Sequence, residues 1–62
     1  MTIGEKIRKL REKKKTTQKE LADKVGVSQP FIAQVERNSR IPSIIIGKRI
    51  AEALGADISD IS

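Results

Sequence analysis

Gly26 limits what this chain can become more than any other residue, because the segments on either side of it carry matching start and stop signals. Upstream, Thr17 and Glu20 have the spacing of a capping box, in which the hydroxyl accepts from one unpaired helix-terminal amide and the carboxylate reaches back to the cap. Leu21, Ala22 and Val25 then form an apolar stripe at helical spacing. A glycine just past that stripe suits the left-handed residue that closes a helix. Val27 follows as a buried plug, and Ser28 is a good N-cap for the next segment. Pro30 falls in that segment's first turn, where its missing amide would have had no partner. Ile32 and Val35 are three apart and face back toward Leu21 and Val25, while small Ala22 lets the two segments cross closely. The pattern over residues 18–37 predicts two short helices packed about a tight turn.

Sixty-two residues make one small domain, near the lower size at which a core holds without staples. The chain has no cysteine, so disulfides and thiolate metal sites are excluded, and no histidine, the commonest general base and metal ligand. No paired carboxylates with acid–base spacing stand out either, so neither an enzyme nor a cofactor is expected. The 13 basic residues outweigh the 8 acidic ones, and a net charge of +5 suits a polyanionic partner, although it serves solubility as well. No apolar run reaches membrane-spanning length and no signal-peptide layout opens the chain, so a cytoplasmic location without a membrane partner is expected. A lone small domain also offers no evident place for a small-molecule effector.

In chain order, Thr2 and Glu5 repeat the capping-box spacing ahead of a first helix lined by Ile3, Ile7 and Leu10. Lys13, Lys14 and Lys15 load its end with charge favourable to the helix dipole. Those lysines suit a solvated helix end better than a row of phosphate contacts. A membrane-surface helix fits poorly, with no Trp and a single Phe in the chain. After residue 37, Ser43 is placed to cap a fourth helix whose inward stripe would be Ile44, Ile50, Ala51 and Leu54, with Gly55 as its stop. Gly47 interrupts that stripe; Ile46 could lean in beside it, and Ile45 points nearly opposite. The tail, residues 56–62, holds about one further turn with Ile58 and Ile61.

The segment from Gln18 to Arg37 is a helix-turn-helix, and it resembles the DNA-binding unit of phage Cro and repressor proteins and their bacterial relatives, the XRE-type regulators. The resemblance is carried by Gln18, Leu21, Ala22, Gly26, Val27, Ser28, Gln29, Ile32, Val35, Glu36, Pro42 and Ser43, and runs from about Ile3 to Ile61. It implies an all-α, lambda-repressor-like domain: a compact bundle of four helices plus a short fifth. Departures from the family pattern fall at Lys15-Thr16, Asn38 and Gly47, where relatives usually carry Gly-Leu or a similar apolar pair, often glycine, and usually leucine. Glycine at 47 leaves room that Ile46 is expected to fill only partly.

Within such a unit the second helix of the motif enters the major groove and reads bases through one outward face. Helical spacing puts Gln29, Pro30, Ala33, Gln34 and Arg37 on that face. A glutamine amide offers a donor and an acceptor together, matching adenine's N6 and N7, while Ala33 or the Pro30 ring can touch a thymine methyl. Gln29, Pro30, Ala33 and Gln34 are therefore the expected base readers, with Arg37 at the helix end reaching phosphate. The resemblance makes Gln18 a phosphate contact that also braces Gln29. It pairs Arg11 with Glu36, turning Arg11 toward phosphate. Asn38, Ser39 and Arg40 follow the reading helix and are placed to grip the backbone, which fixes register without reading sequence. Phe31 is expected to pack over the helix edge.

The function expected is therefore that of a transcriptional regulator, a repressor binding a near-palindromic operator on double-stranded DNA as a homodimer. Ile45, Ile58 and Ile61 are the apolar side chains left for a dimer patch, although Ile58 and Ile61 equally suit a role as lid of the domain's own core. The alternative is a protein–protein interaction module, adaptor or antitoxin-like, on the same fold.

Overall fold

The computed structural model describes residues 1–62 and contains four α-helices and one short 3-10 turn, with no strand. The helices are α1 (Ile3–Lys13), α2 (Gln18–Val25), α3 (Gln29–Glu36) and α4 (Ile44–Ala53). The turn spans Ile58–Asp60 and is all that forms of a fifth helix. All four helices start at a hydroxyl cap. Thr2, Thr17, Ser28 and Ser43 accept from the amides of Glu5, Glu20, Phe31 and Ile46 at 3.3, 3.0, 3.2 and 3.1 Å. In α1 and α2 the glutamate returns the bond to the cap's own amide, completing both capping boxes.

All four helices also end alike. The amides of Thr16, Val27, Ser39 and Ala56 each donate to a carbonyl five residues back, on Arg11, Ala22, Gln34 and Ala51. That closure needs a left-handed residue just before the donor. The four occupants are Lys15 (φ 54°), Gly26 (85°), Asn38 (61°) and Gly55 (67°). Glycine and asparagine suit the position; Lys15, read in the sequence as a plain link, adopts it with a full side chain and bears the steric strain.

The stripes meet in one core of Ile7, Leu21, Ala22, Val25, Ile32, Val35, Ile50, Ala51, Leu54 and Ile61. Leu21, Ile32, Val35 and Ile50 lose all contact with solvent, which holds α3 firmly against α2 and the rest of the bundle. Val27, expected as a buried plug, is half-buried at the rim.

In the C-terminal third one expectation is corrected, one open alternative is settled and one neighbour is added. Ile44 lies at the first turn of α4 and projects into solvent, not onto the inward stripe. Ile61 is fully buried and belongs to the core, so it cannot serve a dimer patch. The space at Gly47 is covered from across the fold by Ile58: beyond Gly47's own helix neighbours, a Cβ built there would have only the Ile58 Cδ1 methyl within 4 Å, at 3.5 Å, while Ile46 packs half-buried against the core. The tail thus closes over α4 where that helix lacks a side chain.

Candidate nucleic-acid interface

Helix α3 divides into two faces. Ile32, Val35 and Glu36 point into the molecule; Gln29 and Pro30 are exposed, and Ala33 and Gln34 are half-buried on the outer side. Arg37 caps the helix and is exposed. The side-chain amides of Gln29 and Gln34 have no intramolecular hydrogen bond; the Gln34 backbone carbonyl accepts from the Ser39 amide and hydroxyl. An outer face of unpaired amides beside small apolar groups can exchange hydrogen bonds with the edges of bases.

A charged cluster anchors this helix to the other two. The Arg11 Nε donates to Glu36 Oε2 at 2.6 Å and its Nη2 to Oε1 at 3.1 Å, a two-pronged pair. Arg11 Nη1 donates to the Thr16 carbonyl at 2.9 Å, and Gln18 Nε2 donates to Glu36 Oε1 at 3.1 Å. The Glu36 side chain is 4% exposed and the Arg11 side chain 14%, so both ions are largely desolvated. Hydrogen bonding to Glu36 raises the Arg11 pKa above its ordinary value, against the opposing effect of burial. Removing two charges from water is costly, and their attraction offsets that cost only because each oxygen and each prong is satisfied. What the cluster provides is geometry: α1, the α1–α2 link, the start of α2 and the end of α3 are tied at one point.

This point borders a shallow notch lined by Arg8, Arg11, Gln18, Ala33, Glu36 and Arg37. Its three guanidinium groups face one buried carboxylate, so the notch is positive. Arg8 was not singled out in the sequence, where it lies off the apolar stripe among lysines. It is exposed and pairs with Glu12, one turn on, at 3.3 Å.

Two expected roles change. Gln18 braces Glu36, not Gln29. The Asn38 amide, expected to grip a DNA backbone, is committed inside the protein: Oδ1 accepts from the Gly4 amide at 3.1 Å and Nδ2 donates to the Thr2 hydroxyl at 2.9 Å. It therefore fastens the end of α3 to the start of α1. Ser39 is exposed with its hydroxyl on the Gln34 carbonyl. Arg40 lies over the half-buried Phe31 ring at 5.1 Å, a cation–π contact that orients its head. Sequence alone could not have found the Asn38 clasp, because its partners lie 34 and 36 residues away. Gly4 is the one trace it leaves, a glycine in a first helical turn with no conformational need for one.

A helix-turn-helix family model matches residues 7–61. The chain belongs to that family, in its XRE-type branch. It is 38% identical over 61 residues to the immunity repressor protein of Bacillus phage phi105, covering 98% of this chain and 42% of the repressor. An HTH-type transcriptional regulator of Methanothermobacter thermautotrophicus is 45% identical over 56 residues, covering 89% of this chain and 81% of the relative. Among solved structures, the P22 c2 repressor bound to a synthetic operator superposes with a TM-score of 0.93 at 33% identity, over 98% of this chain and 92% of that one. The chain thus spans less than half of the phi105 repressor and most of the other two. The lambda-repressor-like fold and the regulator family both agree with the sequence reading, and the family is one of DNA-binding transcription regulators, not enzymes.

Proposed function

We propose that this chain represses transcription by occupying an operator, with two copies bound to a near-palindromic site. In this reading α3 enters the major groove, Gln29 and Gln34 bond to base edges, and Pro30 and Ala33 meet thymine methyls. Gln18, Arg11 and Arg37, joined by Arg8, line the notch that receives a phosphate. Ser39 and Arg40 hold the backbone beyond the end of α3. Asn38 acts at one remove, by fixing where α3 ends. The observation that carries the reading is the outer face of α3, whose glutamine amides are unpaired while its inner face is locked into the core. Occupying a promoter requires only this binding, whereas activation needs a contact with polymerase.

Selection of bound sequences from a random DNA pool tests the proposal, with an enriched inverted repeat as the expected result. On that site Gln34→Ala should cost about 1–3 kcal/mol and relax preference at one base pair. Arg40→Ala should weaken all sequences alike and make the dependence on salt shallower. If Gln34→Ala weakens selected and random DNA equally, α3 does not read bases through this face. A pool from which nothing is enriched turns the assignment toward the protein–protein module.

A further inference from the structure

Phe31 is the chain's only aromatic residue, and it belongs to neither face of α3. It stands in the first turn, with its amide held by the Ser28 cap at 3.2 Å. On one side of it lies the outer face at Gln29, Pro30, Ala33 and Gln34, and on the other the inner face at Ile32, Val35 and Glu36. The ring is half-buried and packs against the core, so it is fixed in place while part of it stays at the surface. What lies on that part comes from past the other end of the helix. Asn38, in the left-handed conformation, turns the chain, and the Arg40 guanidinium carbon lies over the ring, 5.1 Å from its centroid.

How a guanidinium is held decides what it can do. Three cations of the chain are paired with carboxylates: Arg8 with Glu12, Arg11 with Glu36 and Lys19 with Asp23. Arg40 is not among them. A carboxylate fixes a cation by compensating its charge, so a phosphate has to compete with it. An aromatic face attracts the same cation through its quadrupole, within about 6 Å of the centroid, and carries no net charge. The cation is then oriented without being neutralised, and its N–H donors remain for another partner. Arg40 is exposed, so an anion can reach it from solvent. An arginine free in solvent loses rotamer freedom when it grips a ligand, and a ring that orders it beforehand removes part of that cost.

We propose that Phe31 is a positioning residue for DNA binding, whose ring holds the Arg40 guanidinium charged and unpaired for a phosphate of the DNA backbone. The proposal rests on the DNA-binding reading and adds to it a side chain that works without touching DNA. Because the ring belongs to α3, the grip is fixed to the helix that reads bases. Backbone contacts set register and carry no sequence information, so a loosened Arg40 weakens binding and leaves the preferred sequence as it was. An aliphatic side chain at position 31 would still cover the edge of the core but would offer the cation no negative face.

A single phenylalanine lets the test act on one ring. A chain of 62 residues is short enough for chemical synthesis with pentafluorophenylalanine at position 31. Fluorination keeps the ring's shape and apolar character and reverses the charge on its face, so packing and cation–π attraction are separated. Affinity is measured on the selected operator and on random duplex over a range of salt, beside thermal unfolding. The fluorinated chain should unfold at no lower a temperature, bind both DNAs about fivefold more weakly and show a shallower salt dependence. Phe31→Leu should weaken binding in the same way, and Phe31→Tyr should bind like the original chain. In an Arg40→Ala chain the fluorination should change nothing further, because the cation it acts on is gone. Unchanged affinity of the fluorinated chain overturns the proposal. So does a loss of equal size with and without Arg40, which would make the ring a packing element alone. If Arg40→Ala leaves affinity untouched, Arg40 is no backbone contact and the proposal falls, while base reading by α3 stands. An unaltered chain that binds neither DNA removes the DNA-binding reading and this proposal together.

Discussion

Gly4→Ala and Gly47→Ala make the same chemical change in two buried helical positions, and the structure assigns them opposite signs. At Gly47 the added methyl, beyond its own helix neighbours, meets only the Ile58 Cδ1, at 3.5 Å, an ordinary contact. Helix propensity then dominates, and alanine should stabilise the domain by about 1 kcal/mol. In a domain of this size that raises Tm by roughly 4–8 °C. At Gly4 the same methyl would press hardest on the Val35 carbonyl oxygen and would sit 2.7 Å from both the Glu36 carbonyl oxygen and Asn38 Oδ1. Two of the three are backbone atoms at the end of α3, so relief requires moving α1 away from α3. That movement lengthens the Gly4–Asn38 hydrogen bond, now 3.1 Å. Overpacking costs about 1–3 kcal/mol and a weakened hydrogen bond about 0.5–1.5 kcal/mol, against a propensity gain of about 0.5–1 kcal/mol. The net is a loss of about 2 kcal/mol, a large fraction of what a 62-residue domain has. Urea midpoints at constant m-value measure both variants. A Gly4→Ala protein as stable as the original would refute the close approach of α1 to the end of α3. A destabilised Gly47→Ala would refute the open space beneath Ile58.

Three further outcomes are expected. Lys15→Gly should stabilise by about 0.5–1 kcal/mol in thermal unfolding, because a left-handed residue with a Cβ is strained where glycine is not. Glu36→Ala should cost about 3 kcal/mol by the same assay, since it strands the largely buried Arg11 guanidinium without its partner. The carboxyls of Glu5 and Glu20 are held below their ordinary value of 4.5, first by the backbone amides of Thr2 and Thr17 and then by their hydroxyls. The stability these two groups contribute is therefore complete above pH 4.5 and is lost as pH falls through their folded values. A Glu5→Gln/Glu20→Gln double variant should lose less stability on acidification below pH 4.5 than the original chain, and an equal loss would show that other carboxylates govern acid unfolding.

What the sequence determined by itself is what neighbours in the chain decide. Thr2 with Glu5, Thr17 with Glu20, and Ser28 and Ser43 mark four helix starts because a cap and its amide lie within one turn of each other. Gly26 and Gly55 mark stops for an equally local reason, the left-handed closure. The 3.6-residue stripes then dictate which faces are buried, and with the helix-turn-helix pattern in register they carry both the family and the outward face of α3. Only the tertiary structure could decide what joins residues far apart in the chain. It sends the Asn38 amide to Thr2 and Gly4, Gln18 to Glu36, Arg8 to the notch beside Arg37, and the Ile58 methyl to the gap at Gly47. It also divides isoleucines that look alike in sequence, burying Ile61 and leaving Ile41, Ile44 and Ile45 in solvent. Periodicity states that a side chain is apolar and which way its helix turns it. Whether another part of the chain arrives to cover it depends on how the helices pack, and near the ends of α4 that packing is set by a tail with too few residues to carry a period of its own.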